Sequence, residues 1–446
     1  MNHYYKNMER SGKQDIAIFW FRRELRLEDN CGLYQALKGP RSVLPLFIFD
    51  KTILDQLSDK TDRRVSFIHH HLSRLQDNLR QQNSTLLVKY GEPLQVWKKL
   101  LQEWQIRAVY SNADYEPYAR QRDKQFYQLL KANKIDFQLH KDQLIFEKEE
   151  VLKADGKPYT VYTPYKNKWR DSLSAVHLEA YPSEKYRHNF LKIAPLQLPS
   201  LKEIGFHASN SSFPSREIKK EIIENYHRTR DFPALENGTS RLGVHLRFGT
   251  ISIRQLARVA KELNYTFLNE LIWREFFMMI LYHFPEVVEH PFKRKYERIQ
   301  WSDNEEHFKR WCAGQTGFPL IDAGMRQLNQ TGYLHNRVRM ICANFLSKLL
   351  LINWQWGEKY FADKLLDFEL SANNGNWQWA AGCGCDAAPY FRIFNPDTQI
   401  QKFDRELRYV KKWLPEYGTP SYPAAIIDYK FARERALSVY QNALNE

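Results

Sequence analysis

Cysteine is scarce in this chain. Five among 446 residues, at 31, 312, 342, 383 and 385, make no disulfide framework. Cys383-Gly-Cys385 has no second pair at zinc spacing, so both read as reduced thiols. Long apolar runs are missing as well. None reaches the ~18 residues a membrane span needs. The opening MNHYYKNMERSGKQ holds no signal-peptide core and reads as a polar lead-in. A cytoplasmic protein without a membrane partner is the expectation. No GxGxxG or P-loop pattern follows the first apolar run, where the turn is RRELRLEDN, so a standard dinucleotide loop is not supported. The consecutive His69–His71 diverge around a helix, and no metal is expected. Negative charge is the scarcer sign: 52 Asp and Glu against 66 Lys and Arg leave a formal net charge of +14. Excess positive charge attracts polyanions over long range, which makes nucleic acid a candidate partner.

Aromatic residues are plentiful, at 14% with 12 Trp, and serve either a large core or stacking on bases and flat cofactors. The length predicts two or more domains. From residue 15, short apolar runs (DIAIFWF, SVLPLFIFD, TLLVKY, AVYSN) alternate with helical stretches at 63–83, 93–104 and 117–133. This alternation predicts an α/β domain with a doubly wound parallel sheet over 14–140. Residues 141–215 lack a sustained period and read as a linker. From 216 to 446 the pattern is helical throughout, beginning with REIKKEIIENYHRTRDF, so the second domain is all-α.

Chemistry-bearing residues cluster in four stretches. In NELIWREF, Glu270, Trp273 and Arg274 share one helix face, where a carboxylate and a guanidinium need partners or a ligand. A Glu270–Arg274 ion pair beside a core Trp is the competing reading. In LHNRVRM, Asn336 and Met340 share a face, with Arg339 one turn above His335. An amide reads the polar edge of a base, a thioether suits a flat ring and Arg suits phosphate, unless these groups form an internal ion network. The stretch 367–396 is rich in Asn, Gly and Trp; a helix there would align Asn373 with Trp377. It also reads as a loop closing a helical bundle. Thr239, Ser240 and Arg241 sit at a helix entry suited to phosphate or to simple capping.

Together, TSRL, NELIWREF, LHNRVRM, NNGNWQWAA and DAAPYFRIFNP resemble the photolyase/cryptochrome family, over nearly the whole chain, and most closely its class I cyclobutane pyrimidine dimer photolyases. The resemblance implies FAD, working as FADH⁻, in the helical domain. Tyr226, Thr239, Ser240, Arg241 and Leu242 would hold its phosphates and adenine side. Arg339 and Asp367 would pair beside the flavin ring, with Asn373 facing N5 and Glu369 nearby. Glu270 and Asn336 would bond a flipped-out dimer, Trp273 and Trp379 would wall it, and Met340 would lie beneath. Trp377, Trp354 and Trp301 match the family's electron relay. Arg230, Arg274, Arg337 and Arg392 would contact DNA phosphates. The implied activity is light-driven dimer repair by a monomer.

This chain departs from the family pattern at Gly243, where Ser is usual, at Glu369, where Asp is usual, and at Tyr333, where Trp is usual. For a second, antenna chromophore, SNADYEPYARQRD lacks the Asn-Glu pair of folate binders and resembles the deazaflavin pattern through Asp114 and Glu116. The alternative within the family is a cryptochrome, a blue-light signalling flavoprotein without repair activity. Asn336 argues against it, because plant-type signalling members resemble this stretch with Asp there. So does the end of the chain at 446, which leaves no long tail. A non-enzymatic polyanion binder is the third reading; it would be colourless.

Overall fold

The computed structural model describes residues 14–445; the polar lead-in falls almost wholly outside the described residues. Five strands form one parallel sheet: β1 Ile16–Phe21, β2 Ser42–Asp50, β3 Leu87–Gly91, β4 Ile106–Asn112 and β5 Asp136–His140. Their spatial order is β3-β2-β1-β4-β5. The intervening helices are α1 Cys31–Lys38, α2 Arg63–Arg80, α3 Pro93–Glu103 and α4 Pro117–Ala132. Proline at the first helical position starts α3 and α4, where the missing N–H costs nothing.

β1 is buried along its whole length and β2 from Val43 onward, which is why these central strands read as near-continuous apolar runs. Ile16, Ile18 and Trp20 of β1 share a core with Trp97 of α3 and Phe126 of α4. Phe19 points the other way, toward α1, where a Cβ on Gly32 would lie 2.9 Å from its ring. The strand order reverses between β1 and β4, the position at which open α/β sheets form a crevice.

The helical unit is built from α5 Tyr162–Ser172, α6 Tyr265–His283, α7 Pro319–Thr331, α8 Asn336–Asn344, α9 Trp354–Lys364 and α10 Leu370–Ala381. Asn264 caps α6 by accepting from Thr266 N–H (2.9 Å) and Phe267 N–H (3.2 Å). Ile321 and Leu328 of α7, Val338 and Ile341 of α8, and Trp377 of α10 belong to one buried core. The helical stretch expected to begin near 216 is two short pieces, Lys220–Glu224 and Tyr226–Thr229. Asn225 separates them, its amide bonding back to Glu221 O at 3.0 Å. Among the described residues, no helix is long and apolar enough to cross a membrane.

The compact units do not follow the expected boundaries. One takes in the described residues up to Glu147 with Ser174–Arg216 and Leu242–Arg258; the other takes Lys148–Leu173, Glu217–Arg241 and Val259 onward. Part of the expected linker therefore belongs to the helical unit. The reason is packing: Tyr165 and Trp169 of α5 are buried and donate to Glu275 of α6, at 3.3 and 2.5 Å.

Two glycines set the spacing around α10. A Cβ on Gly375 would lie 2.1 Å from the Phe277 ring of α6, and one on Gly357 of α9 would lie 2.1 Å from the Trp377 ring. Overpacking of this kind costs about 1–3 kcal/mol. Gly357→Ala is expected to lower unfolding free energy by that amount in a denaturant titration, with Trp377 fluorescence shifted in the folded state.

Candidate functional site

A cleft of about 580 Å3, counting the solvent at its mouth, opens beside α8, α9 and α10. α8 contributes Asn336, Arg339, Met340 and Ala343. These lie at successive helical turns, so the spacing read from LHNRVRM puts them on one wall. α10 contributes Asn373, Asn376, Trp377 and Trp379, with Ala372 leaving room between them. Phe361 of α9 and the connection holding Leu365, Asp367, Phe368 and Glu369 complete the lining. The lining mixes apolar and aromatic side chains with Asn336, Arg339, Asp367, Glu369, Asn373 and Asn376. Asn376 and the apolar Ala343, Phe361, Leu365, Phe368 and Ala372 are lining residues that the sequence reading does not contain. Asn376 sits three residues past Asn373 and is findable by helical spacing; the apolar residues carry no chemical signal.

One ion pair dominates the polar side. Arg339 Nη2 lies 3.0 and 2.9 Å from the two oxygens of Asp367, and Arg339 Nε donates to Leu334 O at 2.7 Å. The fork is thus held at both ends. Asn373 is buried and its Nδ2 donates to Glu358 O at 3.0 Å, so its carboxamide is held at the cleft wall. Glu358 itself accepts from Asn374 Nδ2 at 3.2 Å, and burial pushes its carboxyl up to about 7 despite that bond. Asn336 is exposed, with Nδ2 3.8 Å from Met340 Sδ. His335 caps α8 by accepting from Arg337 N–H at 3.2 Å; burial, then the neighbouring Arg339, pushes it down to about 4. It is neutral at physiological pH.

Glu270, Trp273 and Arg274 of α6 lie outside the cleft lining, and of the three Arg274 pairs with a lining residue. Arg274 pairs with the cleft-lining Glu369 at 3.3 Å, while Glu270 pairs with Arg230 at 2.5 Å. The Glu270–Arg274 pair weighed as a competing reading does not form. Burial raises the Glu270 carboxyl against the pull of Arg230. Trp273 is stacked on Tyr162 of α5, with ring centroids 3.5 Å apart and planes 8° from parallel. Of the arginines expected at phosphates, Arg230 and Arg274 are paired as above and Arg337 pairs with Asp231 at 2.6 Å. Arg392 is exposed.

The residues expected toward the cofactor's phosphates lie outside the cleft lining. Tyr226 packs edge-on against Phe267 (5.0 Å) under the Arg230 guanidinium. Thr239 Oγ1 meets the Tyr333 hydroxyl at 3.1 Å, and the Arg241 guanidinium lies over the Tyr333 ring at 4.9 Å. The Tyr333 departure therefore supplies a hydroxyl bond to Thr239 that an indole ring in its place has no oxygen to make. Arg241 has φ +53°, Ser240 is half-buried and Leu242 is buried ahead of a short helix at Gly243–Arg247. Of the expected relay, Trp377 lies 5.0 Å from Phe361 and over Gly357, one turn beyond Trp354 in α9; Trp301 meets Tyr440 edge-on at 6.2 Å. At the sheet's switch point, the Asp114 carboxylate accepts from Arg23 (3.0 Å) and from Tyr115 N–H (2.7 Å), and Glu116 lies 3.5 Å from Arg23.

Apolar and aromatic side chains, a rigid guanidinium–carboxylate pair and a buried amide make a site for a flat ring system with a polar edge. Residues 267–420 match the FAD binding domain of DNA photolyase, and residues 17–184 match DNA photolyase. The chain belongs to the photolyase/cryptochrome family; it is a flavoprotein enzyme of that family, with FAD as its cofactor. It is 37% identical to the deoxyribodipyrimidine photo-lyase of Synechococcus, over 95% of this chain and 96% of the relative. It is 35% identical to that of Escherichia coli, over 96% and 98%. A bacterial class III photolyase from Agrobacterium tumefaciens superposes with TM-score 0.85 at 32% identity, covering 97% of this chain and 98% of that one. An archaeal photolyase from Sulfolobus tokodaii, whose structure holds two FAD molecules, superposes with TM-score 0.79 at 34% identity, covering 96% and 100%.

Glu358 makes stability depend on pH. The unfolded carboxyl ionises near 4.5, whereas the folded one keeps its proton to about 7. The folded state therefore binds the extra proton, and stability falls as pH rises through that window. Thermal midpoints of the protein relative to Glu358→Gln are expected to decline from pH 4.5 to about 7 and then level off. A constant offset would place the Glu358 titration elsewhere.

Proposed function

We propose that the protein repairs cyclobutane pyrimidine dimers in DNA, using light, with the dimer turned out of the duplex into the α8–α10 cleft. The convergence of Asn336, Met340 and Trp379 with the Arg339–Asp367 pair and Asn373 in one cleft carries this reading. Reduced FAD, when bound, would supply light-driven electron donation to the cyclobutane ring with return of the electron, so the repair would be redox-neutral. The protein's part is positioning and electrostatic support.

Arg339 and Asp367 would hold the polar edge of the ring, since neither can swing without breaking the bonds described above. Asn373 would offer its amide to the electron-rich ring, with Glu369 steadied by Arg274. Tyr226, Thr239, Ser240, Arg241 and Leu242 would take the cofactor's phosphates and adenine side. Asn336 and Glu270 would hydrogen-bond the dimer's carbonyl and imide edges. Trp379 and Trp273 would supply flat walls and exclude water, with Met340 as a soft contact below. Tyr162 backs Trp273 and keeps its plane fixed. Trp377, Trp354 and Trp301 would carry electrons to oxidised cofactor. Arg230, Arg274, Arg337 and Arg392 would meet DNA phosphates. Turning a base out of the stack costs least at a damaged step, which favours the dimer over intact DNA.

The purified protein is expected to be yellow or blue and to restore dimer-containing DNA only under near-UV or blue light. Equal restoration in darkness, or none under light with the cofactor reduced, would rule the reading out. Glu270→Ala is expected to weaken dimer binding by about 1.5–3 kcal/mol, roughly tenfold or more, with flavin content intact. Unchanged binding removes Glu270 from the site. Trp377→Phe is expected to abolish photoreduction yet spare repair by chemically reduced enzyme, which a steady-state absorbance assay separates.

A further inference from the structure

Arg337 and Arg230 are not open cations. Arg337 Nη2 donates to Asp231 Oδ1 at 2.6 Å, and Arg230 Nε lies 4.0 Å from the same oxygen. Arg230 Nη1 is in turn 2.5 Å from Glu270 Oε1. Both guanidiniums are seated on rings, Arg337 over Phe403 at 4.4 Å and Arg230 over Tyr226 at 5.2 Å. The rings hold the forks in place, and the two carboxylates cancel their charge. Asp231 is the more exposed member of its pair, at 37% against 20% for Arg337. It is therefore the partner that can leave without opening the core.

We propose that Asp231 is a built-in competitor for DNA phosphate: its carboxylate occupies the Arg337 fork that a backbone phosphate would take, and so suppresses binding to undamaged DNA. This rests on the repair reading above. A carboxylate oxygen and a phosphate oxygen accept the same guanidinium donors. Non-specific binding is almost wholly electrostatic, so it bears the full cost of displacing Asp231. Binding of a dimer also gains the contacts in the cleft, which are untouched by that exchange. The exchange is the same with or without a dimer, so Asp231 lowers phosphate-driven affinity for any duplex and sets how tightly the protein holds DNA where no lesion fills the cleft.

The test uses the full-length flavoprotein and an undamaged duplex, titrated between about 50 and 200 mM salt. Asp231→Asn removes the charge but keeps an oxygen that can accept from Arg337. It is expected to bind the undamaged duplex about three- to tenfold more tightly at the low-salt end, with a log–log salt slope steeper by about one. Asp231→Glu keeps the charge and should bind as the parent does. In an Arg337→Ala background the Asn substitution should bring no gain. An Asn variant that binds no tighter overturns the proposal, as does a gain that persists without Arg337. Light-driven repair by the parent chain, measured alongside, tests the functional reading by itself: repair intact with no gain in the Asn variant sinks only the competitor. A parent that binds duplex with no salt dependence overturns the competitor, because no phosphate then meets Arg337, while the repair measurement still decides the functional reading.

Discussion

Everything around the cleft depends on how closely α10 approaches its neighbours. Gly375 lets the Phe277 ring of α6 touch the α10 backbone, and Gly357 lets the Trp377 ring of α10 lie on α9. A methyl group at either place would overlap a ring, and the helices would have to part. The cleft wall carries Asn373 and Trp377 on the same helix, so a shift of α10 moves both. Close packing of this kind transmits position well, because a dense interior has no slack to absorb a displacement.

Within that frame the polar groups are arranged as pairs. Arg339 with Asp367, Arg274 with Glu369, Arg230 with Glu270 and Arg337 with Asp231 each bring a guanidinium to a carboxylate. Half-buried charges need such partners, because desolvation without compensation is costly. Pairing also makes the geometry rigid, since a guanidinium fork fixes direction as well as distance. The same pairing changes the meaning of the arginines. A sequence shows four cations suited to phosphate; the fold shows that three of them already hold an anion, one of which has to be exchanged or accompanied when DNA arrives.

Much of the architecture was legible beforehand. The apolar runs of β1 and β2, alternating with helical stretches, pointed to strands of a parallel sheet, and the prolines that open α3 and α4 mark where helices begin. Asn336 and Met340, and Asn373 and Trp377, were aligned by helical spacing alone. Trp169 and Tyr165 were not legible as part of the helical unit, because their partner Glu275 lies more than a hundred residues away. Nor did spacing reveal that Tyr333 bonds Thr239, or that Tyr162 backs Trp273.

What the amino-acid order determined by itself is therefore what depends on near neighbours: which segments are helix or strand, which side chains share a face, and the motif set that marks the family. Partner choice was decided only by the tertiary structure. Glu270 sits one helical turn from Arg274, yet it pairs with Arg230 while Arg274 pairs with Glu369. Local spacing puts two charges within reach of each other, but the pair that forms is the one whose helices are packed close enough to bury it.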